Sequence, residues 1–389
     1  MSFNYFVPTR ILFGQGQIKN LHKQKLPGKK ALIVISSGRS TRKYGYLDTV
    51  TNELRLAGAD FAVFDKIQPN PTRDNIMDGA ACAKENDCDF VIGLGGGSCL
   101  DASKAIAAMA TNEGDYWDYI HGGTGKGKIM QNSPLPIVAI TTTAGTGTEA
   151  DPWAVVTNEE TREKIGFGMD STFPVLSVVD PEMMTTVPPQ FTAYQGFDAL
   201  FHSAEGYISK GANPMSDMFA ITAIENIAAN LAQSVKDGRD INAREKVALG
   251  NTLSGFVESI GAVTSQHSLE HALSAAHPDL PHGAGLIMIS RAFFTHFAKA
   301  GVCNERMIAM AKAMGKKDAT RAMDFVEALV ELQEACGVTD LKMSDYGIKK
   351  SDLVQYAKDA RITMGKLFDF DPVPLSDEDG AAILEDSYR

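Results

Sequence analysis

Between Asp198 and His282 the chain gathers the side chains best suited to hold a metal ion. The run Gly196-Phe-Asp-Ala-Leu-Phe-His-Ser-Ala-Glu205 carries Asp198 and His202, Gln266-His-Ser-Leu-Glu-His271 carries His267 and His271, and Leu280-Pro-His-Gly283 carries His282. Five of the eight histidines lie between His202 and His282, a concentration that scattered surface histidines do not produce. Asp198 with His202, and His267 with His271, stand four residues apart, so on helices each pair projects from one face toward a single point. One carboxylate and several neutral imidazoles form a borderline-hard donor set. Such a set suits Fe(II), Zn(II), Mn(II) or Ni(II) and argues against a calcium cage or a thiolate site. One His-x-x-x-His pair alone is a weak signal; two pairs followed by Pro281-His282-Gly283 read as a site.

A second group of residues suits a phosphate. Gly95-Gly-Gly-Ser98 follows the apolar run Asp89-Phe-Val-Ile-Gly-Leu94 and precedes Cys99-Leu-Asp101-Ala-Ser-Lys104 and an apolar helix through Met109. Glycines between a strand and a helix let the backbone approach a pyrophosphate, whose charge meets amide groups and the positive helix end. The run is not the Gly-x-Gly-x-x-Gly fingerprint, and as a bare pattern it is also compatible with a flexible turn. Pro136-Ile-Val-Ala-Ile140 leads into Thr141-Thr-Thr-Ala-Gly-Thr-Gly-Thr-Glu149, which supplies hydroxyl donors at the carboxyl end of a strand, where open α/β sheets bind ligands.

The elements that must position these residues fall into two classes. Phe6 to Phe13 alternates like a strand, Lys30 to Ile35 and Phe61 to Phe64 are short apolar runs of the buried-strand kind, and Tyr46 to Gly58 and Arg73 to Asn86 carry helical periodicity. The alternation predicts right-handed βαβ units and a parallel sheet. After Val187-Pro-Pro189 the strand-like runs cease, and apolar faces at Ile221, Ile224, Ala228 and Leu231, and at Phe325, Leu329 and Leu332, predict helices. At 389 residues two domains are expected, residues 1–187 an α/β nucleotide-binding domain and 188–389 an all-helical metal- and substrate-binding domain. A net charge of -11 argues against nucleic acid or anionic membrane as partners. No apolar run reaches transmembrane length and the first residues lack a signal peptide's basic and apolar regions, so a cytoplasmic location is expected. Five widely spread cysteines form no Cys-x-x-Cys pair and suggest neither disulfides nor a zinc ribbon.

Together, Gly95-Gly-Gly-Ser-x-x-Asp-x-x-Lys104, Thr141-Thr-x-Ala-Gly-Thr-Gly-x-Glu149, Gly196-x-Asp-Ala-x-x-His202 and His267-x-x-x-His271 with His282-Gly resemble the iron-containing (group III) alcohol dehydrogenase family. More narrowly, the chain resembles the butanol dehydrogenase-like branch, and the similarity runs over nearly the whole chain. The resemblance implies a Rossmann-like α/β domain plus an all-α domain, and hydride exchange between a nicotinamide and a small primary alcohol or aldehyde. It places the metal ligands on Asp198, His202, His267 and His282, the ion being Fe(II) or Zn(II). His271 falls on the family's non-ligand histidine, near substrate and nicotinamide, and is the candidate proton relay. His277, between His271 and His282, departs from the most familiar members and is taken as a bystander. Phe197, Phe201 and Trp153 favour an apolar substrate unless they belong to the core.

The dinucleotide is expected on Gly95, Gly96, Gly97, Ser98, Asp101, Thr141 and Thr142. NAD-specific folds usually place an acid after an early strand, against the ribose 2′-hydroxyl. Here Ser36-Ser-Gly-Arg-Ser-Thr-Arg-Lys43 has no acid, and NADP-using branches resemble it in a Gly/Ser-rich turn. Ser37, Gly38, Arg39 and Ser40, with Arg42 or Lys43, are therefore assigned to a 2′-phosphate, which favours NADP(H) over NAD(H) and aldehyde reduction. A homodimer is expected, with Phe3 to Phe13 as an edge able to pair across a two-fold axis. The alternatives are a glycerol dehydrogenase-like polyol oxidoreductase, a dehydroquinate synthase of the same architecture, and a nucleotide-binding module with a structural metal.

Overall fold

The computed structural model describes residues 2–389, which divide into two compact units: Phe6–Thr186, and Val187–Arg389 together with residues 2–5.

In the first unit strands and helices alternate as β1 (Arg10–Phe13), β2 (Lys30–Ser36), the one-turn helix α1 (Ser40–Lys43), α2 (Tyr46–Leu56), β3 (Asp60–Ile67), α3 (Arg73–Glu85), β4 (Phe90–Gly95), α4 (Gly97–Thr111) and β5 (Ile137–Thr141). A hairpin of β6 (Ala154–Asn158) and β7 (Glu163–Phe167) follows, then β8 (Leu176–Val179). The main sheet is wholly parallel in the order β1-β8-β5-β4-β2-β3. Alternate residues of β2 serve its two faces. Leu32 and Val34 pack with Ile76 and Ala80 of α3 and Leu100 and Ile106 of α4, while Ala31, Ile33 and Ile35 pack with Leu47, Val50 and Leu54 of α2. A strand covered on both faces must be apolar at every position, which accounts for the unbroken run Ala31–Ile35. From β2 the chain turns to β3 on one side and to β4 on the other, so the carboxyl ends of β2 and β4 flank the topological switch point.

The strand expected over Phe6 to Phe13 is shorter than its alternation suggested. Only Arg10–Phe13 pairs, and Pro8, which has no amide to donate, lies before it. The β6–β7 hairpin carries no strong signal in the sequence. Its turn spans Glu159 to Arg162, and Arg162 adopts a left-handed φ of 57° without the glycine that usually marks such a turn.

The second unit is helical, with no strand among the described residues: α5 (Pro189–Ile208), α6 (Pro214–Lys236), α7 (Ile241–Ile260), α8 (Ser265–Ala276), α9 (His282–Ala300), α10 (Asn304–Ala313), α11 (Met323–Ala335), α12 (Leu353–Met364) and α13 (Asp377–Ser387). Pro189 occupies the first turn of α5, where its missing amide costs nothing. Asn213 caps α6 by accepting from Met215 N and Ser216 N. The buried face of α6 centres on Ala220, Ile224, Ile227 and Leu231, while Ile221 and Ala228 are only half-buried. On α11, Phe325, Leu329 and Leu332 are buried. Phe197 and Phe201 are fully buried, and the Phe201 ring stacks on Phe294 at 6.1 Å, so neither speaks for the substrate. No helix among the described residues is long and apolar enough to cross a membrane.

Candidate active site

Four helices of the second unit supply the metal-suited side chains. Helix α5 carries Asp198 and His202, α8 carries His267 and His271, α9 opens with His282, and α7 brings Glu258. The start of α8 is fixed by two carboxylates that accept from its first groups. Glu205 takes Thr264 N at 2.9 Å and Thr264 Oγ1 at 2.8 Å; Asp371 takes Ser265 N and Ser265 Oγ at 3.0 Å. Helix α9 reaches its place because Gly283 has no side chain: a Cβ there would run into the backbone of Tyr194 on α5.

Around Asp198 Oδ1 stand three imidazole Nε2 atoms, those of His202 at 3.7 Å, His267 at 3.6 Å and His282 at 3.4 Å. A tetrahedral shell with metal–ligand bonds of about 2.0–2.2 Å has ligand–ligand edges of roughly 3.4 Å. The distances from Asp198 are of that size, and Asp198, His267 and His282 hold their ligand atoms within 4.8 Å of one another, with His202 outside that tighter group. Asp198 Oδ1 and His267 Nε2 are moreover buried atoms with no hydrogen-bond partner. Leaving such atoms unopposed is costly, and a cation between them removes the cost. The residues therefore fit a divalent ion.

The acids and imidazoles here shift one another's ionisation strongly. Burial alone would raise the Asp198 carboxyl, but His202, His282 and His267 around it hold it well below the usual carboxylate range. Burial would lower His267, yet Glu205 and Asp198 beside it raise it to about 10.

His271 joins this group. Its ring centroid is 5.2 Å from that of His282, and its Nδ1 lies 2.8 Å from Met364 Sδ. Glu270, His271 and His282 also present ligand atoms within 4.8 Å of one another. His277, which caps the end of α8, is instead engaged with Tyr356 Oη at 2.9 Å, and burial lowers its pKa.

Three glutamates that no sequence motif marks stand behind these rings. Glu205 Oε1 accepts from His267 Nδ1 at 2.6 Å, Glu258 Oε1 lies 3.4 Å from His202 Nδ1, and Glu270 Oε2 pairs with His282 Nδ1. One signal was available: α5 is apolar nearly all round, and an acid on such a helix must be buried against a partner.

In the first unit the phosphate-suited residues gather at the switch point. Gly95 closes β4 with φ 155°, where a Cβ would lie 2.7 Å from Cys99 Sγ. Gly96 is the N-cap of α4, whose first turn has neither a side-chain cap nor an acid, and Gly97 and Ser98 open that helix. Thr142 N donates to Gly95 O at 2.9 Å, tying the loop after β5 to this turn. Thr141 commits its hydroxyl proton to Thr143 O at 2.8 Å. Asp101, expected to line the dinucleotide site, is buried in the second turn of α4. Its carboxylate accepts from Thr148 Oγ1 at 2.7 Å and Val155 N at 3.0 Å, and burial, partly offset by Lys104 and these donors, raises its pKa to about 6. Lys104, itself fully buried, donates to Thr148, Asp151 and Trp153 O, so Asp101 and Lys104 hold the loop from inside. Ser37, Gly38, Arg39 and Ser40 are all exposed beyond Ser36 at the end of β2. Arg42 is paired with Asp65 at 2.7 Å, which leaves Arg39 and Lys43 as the cations better placed for a phosphate.

Comparison with known proteins follows the same division. Residues 8–181 match the family model "Iron-containing alcohol dehydrogenase", and residues 192–388 match "Fe-containing alcohol dehydrogenase family, C-terminal". The chain is 34% identical to a 1,3-propanediol dehydrogenase of Klebsiella pneumoniae, covering 99% of each chain. It is 30% identical to a probable NADH-dependent butanol dehydrogenase of Bacillus subtilis, again covering 99% of each. The crystal structure of an alcohol dehydrogenase from a halo-thermophilic archaeon of a Red Sea brine pool superposes with a TM-score of 0.93 at 34% identity, covering 100% of this chain and 99% of that one.

Proposed function

We propose that this chain, which belongs to the iron-containing alcohol dehydrogenase family, holds one divalent ion, Fe(II) or Zn(II), through Asp198, His202, His267 and His282. The family makes it a nicotinamide-linked oxidoreductase that moves a hydride between an alcohol or aldehyde and the cofactor. The observation that carries the ligand assignment is the set of three Nε2 atoms 3.4–3.7 Å from the buried Asp198 Oδ1. When bound, the ion supplies Lewis acidity toward the substrate oxygen, and the nicotinamide supplies or accepts the hydride. The chain's own part is to position and to move a proton. His271, beside His282 and not aimed at Asp198 Oδ1, is the group that passes the alcohol proton toward solvent, an imidazole being able to carry it near neutrality.

For the cofactor, the open turn Gly95–Ser98 and Thr142 take the pyrophosphate, with Gly96 and Gly97 giving the backbone its close approach. Asp101 and Thr141 act by fixing that turn and the loop beside it. The exposed turn Ser37–Ser40 with Arg39 and Lys43 supports NADP(H) over NAD(H), although the Bacillus relative's name carries NADH. The substrate is a small primary alcohol or aldehyde, reduction of the aldehyde being the favoured direction. Edge strand β1, paired only with β8 and preceded in sequence by the exposed Phe3, Tyr5 and Phe6, supports a homodimer.

The test measures the loss of reduced-nicotinamide absorbance with a short aldehyde, with NADPH and NADH in parallel, on wild-type protein and His267→Ala. Wild-type turnover with a higher kcat/KM for NADPH, and a His267→Ala variant that is folded, inactive and depleted of metal by elemental analysis, is expected. Full activity and unchanged metal content in the variant overturn the ligand assignment.

A further inference from the structure

Each imidazole around Asp198 is held at both ends. Its Nε2 faces the same carboxylate oxygen and its Nδ1 faces a different glutamate: Glu258 behind His202 at 3.4 Å, Glu205 behind His267 at 2.6 Å, and Glu270 behind His282. The three glutamates come from three helices, α7, α5 and α8. Glu205 and Glu270 are fully buried, and the Glu258 side chain is only 13% accessible. Three charged groups do not collect in a helical core by default, because each buried charge needs a compensating partner. The fold also makes room for them. Gly285 of α9 lies so close that a Cβ there would be 2.7 Å from Glu270 Cγ and 2.8 Å from Glu270 Oε1.

A carboxylate hydrogen-bonded to Nδ1, as Glu205 is to His267 and Glu270 to His282, fixes the hydrogen there, leaves the Nε2 lone pair pointing at the ion, and increases its donor strength, while Glu258, 3.4 Å from His202 Nδ1, contributes its charge. We infer that Glu205, Glu258 and Glu270 are positioning residues that set how tightly, and in what ligand field, this site holds its metal. The inference rests on the ligand assignment made above. Counting Asp198, four carboxylates surround an ion of charge +2. The shell therefore carries excess negative charge, and retention of a divalent ion depends on the outer carboxylates as well as on the four ligands.

Glu258→Gln and Glu270→Gln test this, since glutamine keeps the length and an acceptor oxygen while removing the charge. Glu205 is left intact because it also anchors the start of α8. Cobalt(II) and zinc(II) affinities would be measured by competition with a coloured chelator on the full chain, with the visible absorption of the cobalt form and far-ultraviolet circular dichroism alongside. Each variant is expected to bind one ion per chain, with affinity lowered about 10- to 100-fold, a shifted cobalt band and unchanged helix content. Wild-type affinity together with a wild-type cobalt band in both variants overturns the inference while leaving the ligand assignment standing. A wild-type chain that binds no ion at all refutes the assignment itself. Should Glu270→Gln fail to fold, Glu258→Gln alone decides, because its partner contact is longer and lies nearer the surface.

Discussion

Replacing Gly97 with alanine tests the dinucleotide turn at the point where the structure leaves no room. An ideal Cβ on Gly97 would lie 2.5 Å from Thr146 Cγ2 and 3.0 Å from Thr146 Oγ1, whereas ordinary van der Waals contact begins at 3.4 Å. The turn after β4 and the loop after β5 must then part by nearly an ångström, or Thr146 must leave its rotamer. Overpacking of this kind costs about 1–3 kcal/mol. The loop that yields also contributes Thr142 to the turn, so most of the cost appears as weaker cofactor binding, roughly 5- to 150-fold in Kd. Quenching or enhancement of NADPH fluorescence on titration reads the Kd, and elemental analysis shows that metal content is untouched. The double variant Gly97→Ala/Thr146→Ser removes the offending Cγ2 and is expected to recover most of the affinity, while Thr146→Ser alone stays near wild type. An unchanged Kd in Gly97→Ala, or a double variant as weak as the single, refutes the reasoning.

Ser36→Asp, which places an acid at the end of β2, is expected to shift the kcat/KM ratio toward NADH by repelling a 2′-phosphate; a ratio that does not move shows that the turn does not meet the ribose. Asp371 has its carboxyl pushed up to about 7 by burial, against the lowering effect of Ser265, so its contribution to stability is present below the ordinary value of 3.8 and is lost as pH rises through about 7. Asp371→Asn keeps the acceptor for Ser265 and removes the buried charge, and is expected to raise Tm at pH about 8 by an amount on the order of 2–4 kcal/mol in stability, with little change at pH about 4. An equal effect at both pH values sinks the ionisation argument. Light scattering at micromolar concentration is expected to give a dimer mass, and a monomer removes the role proposed for β1.

What the sequence could reveal follows from how each feature is encoded. The strands β2, β4 and β5 were legible because burial on both faces forces unbroken apolar runs, and their order of appearance with helices between them implies a parallel sheet. The strand β8 and the β6–β7 hairpin were not, since four or five residues without a glycine-marked turn carry little periodicity. At the site, Asp198, His202, His267 and His271 announced themselves because few residue types ligate metals and the four-residue spacing declares a shared face. The glutamates did not, because Glu is common on helices and spacing alone does not tell which face is buried. The inward position of Asp101 was illegible for the same reason, since its partners Thr148 and Val155 lie about fifty residues along the chain.

One relation on α5 connects the sequence to the site more tightly than either histidine pair. Asp198 and Glu205 are seven residues apart, two helical turns and about 10 Å along the axis. The His267 ring from α8 bridges that interval, with Nε2 3.6 Å from Asp198 Oδ1 and Nδ1 2.6 Å from Glu205 Oε1. The other oxygen of Glu205 accepts from Thr264 N and Thr264 Oγ1, immediately before α8 begins. One carboxylate thus fixes both where α8 starts and how its first histidine is turned. A slip of α8 by even one residue would rotate the ring away from both acids at once.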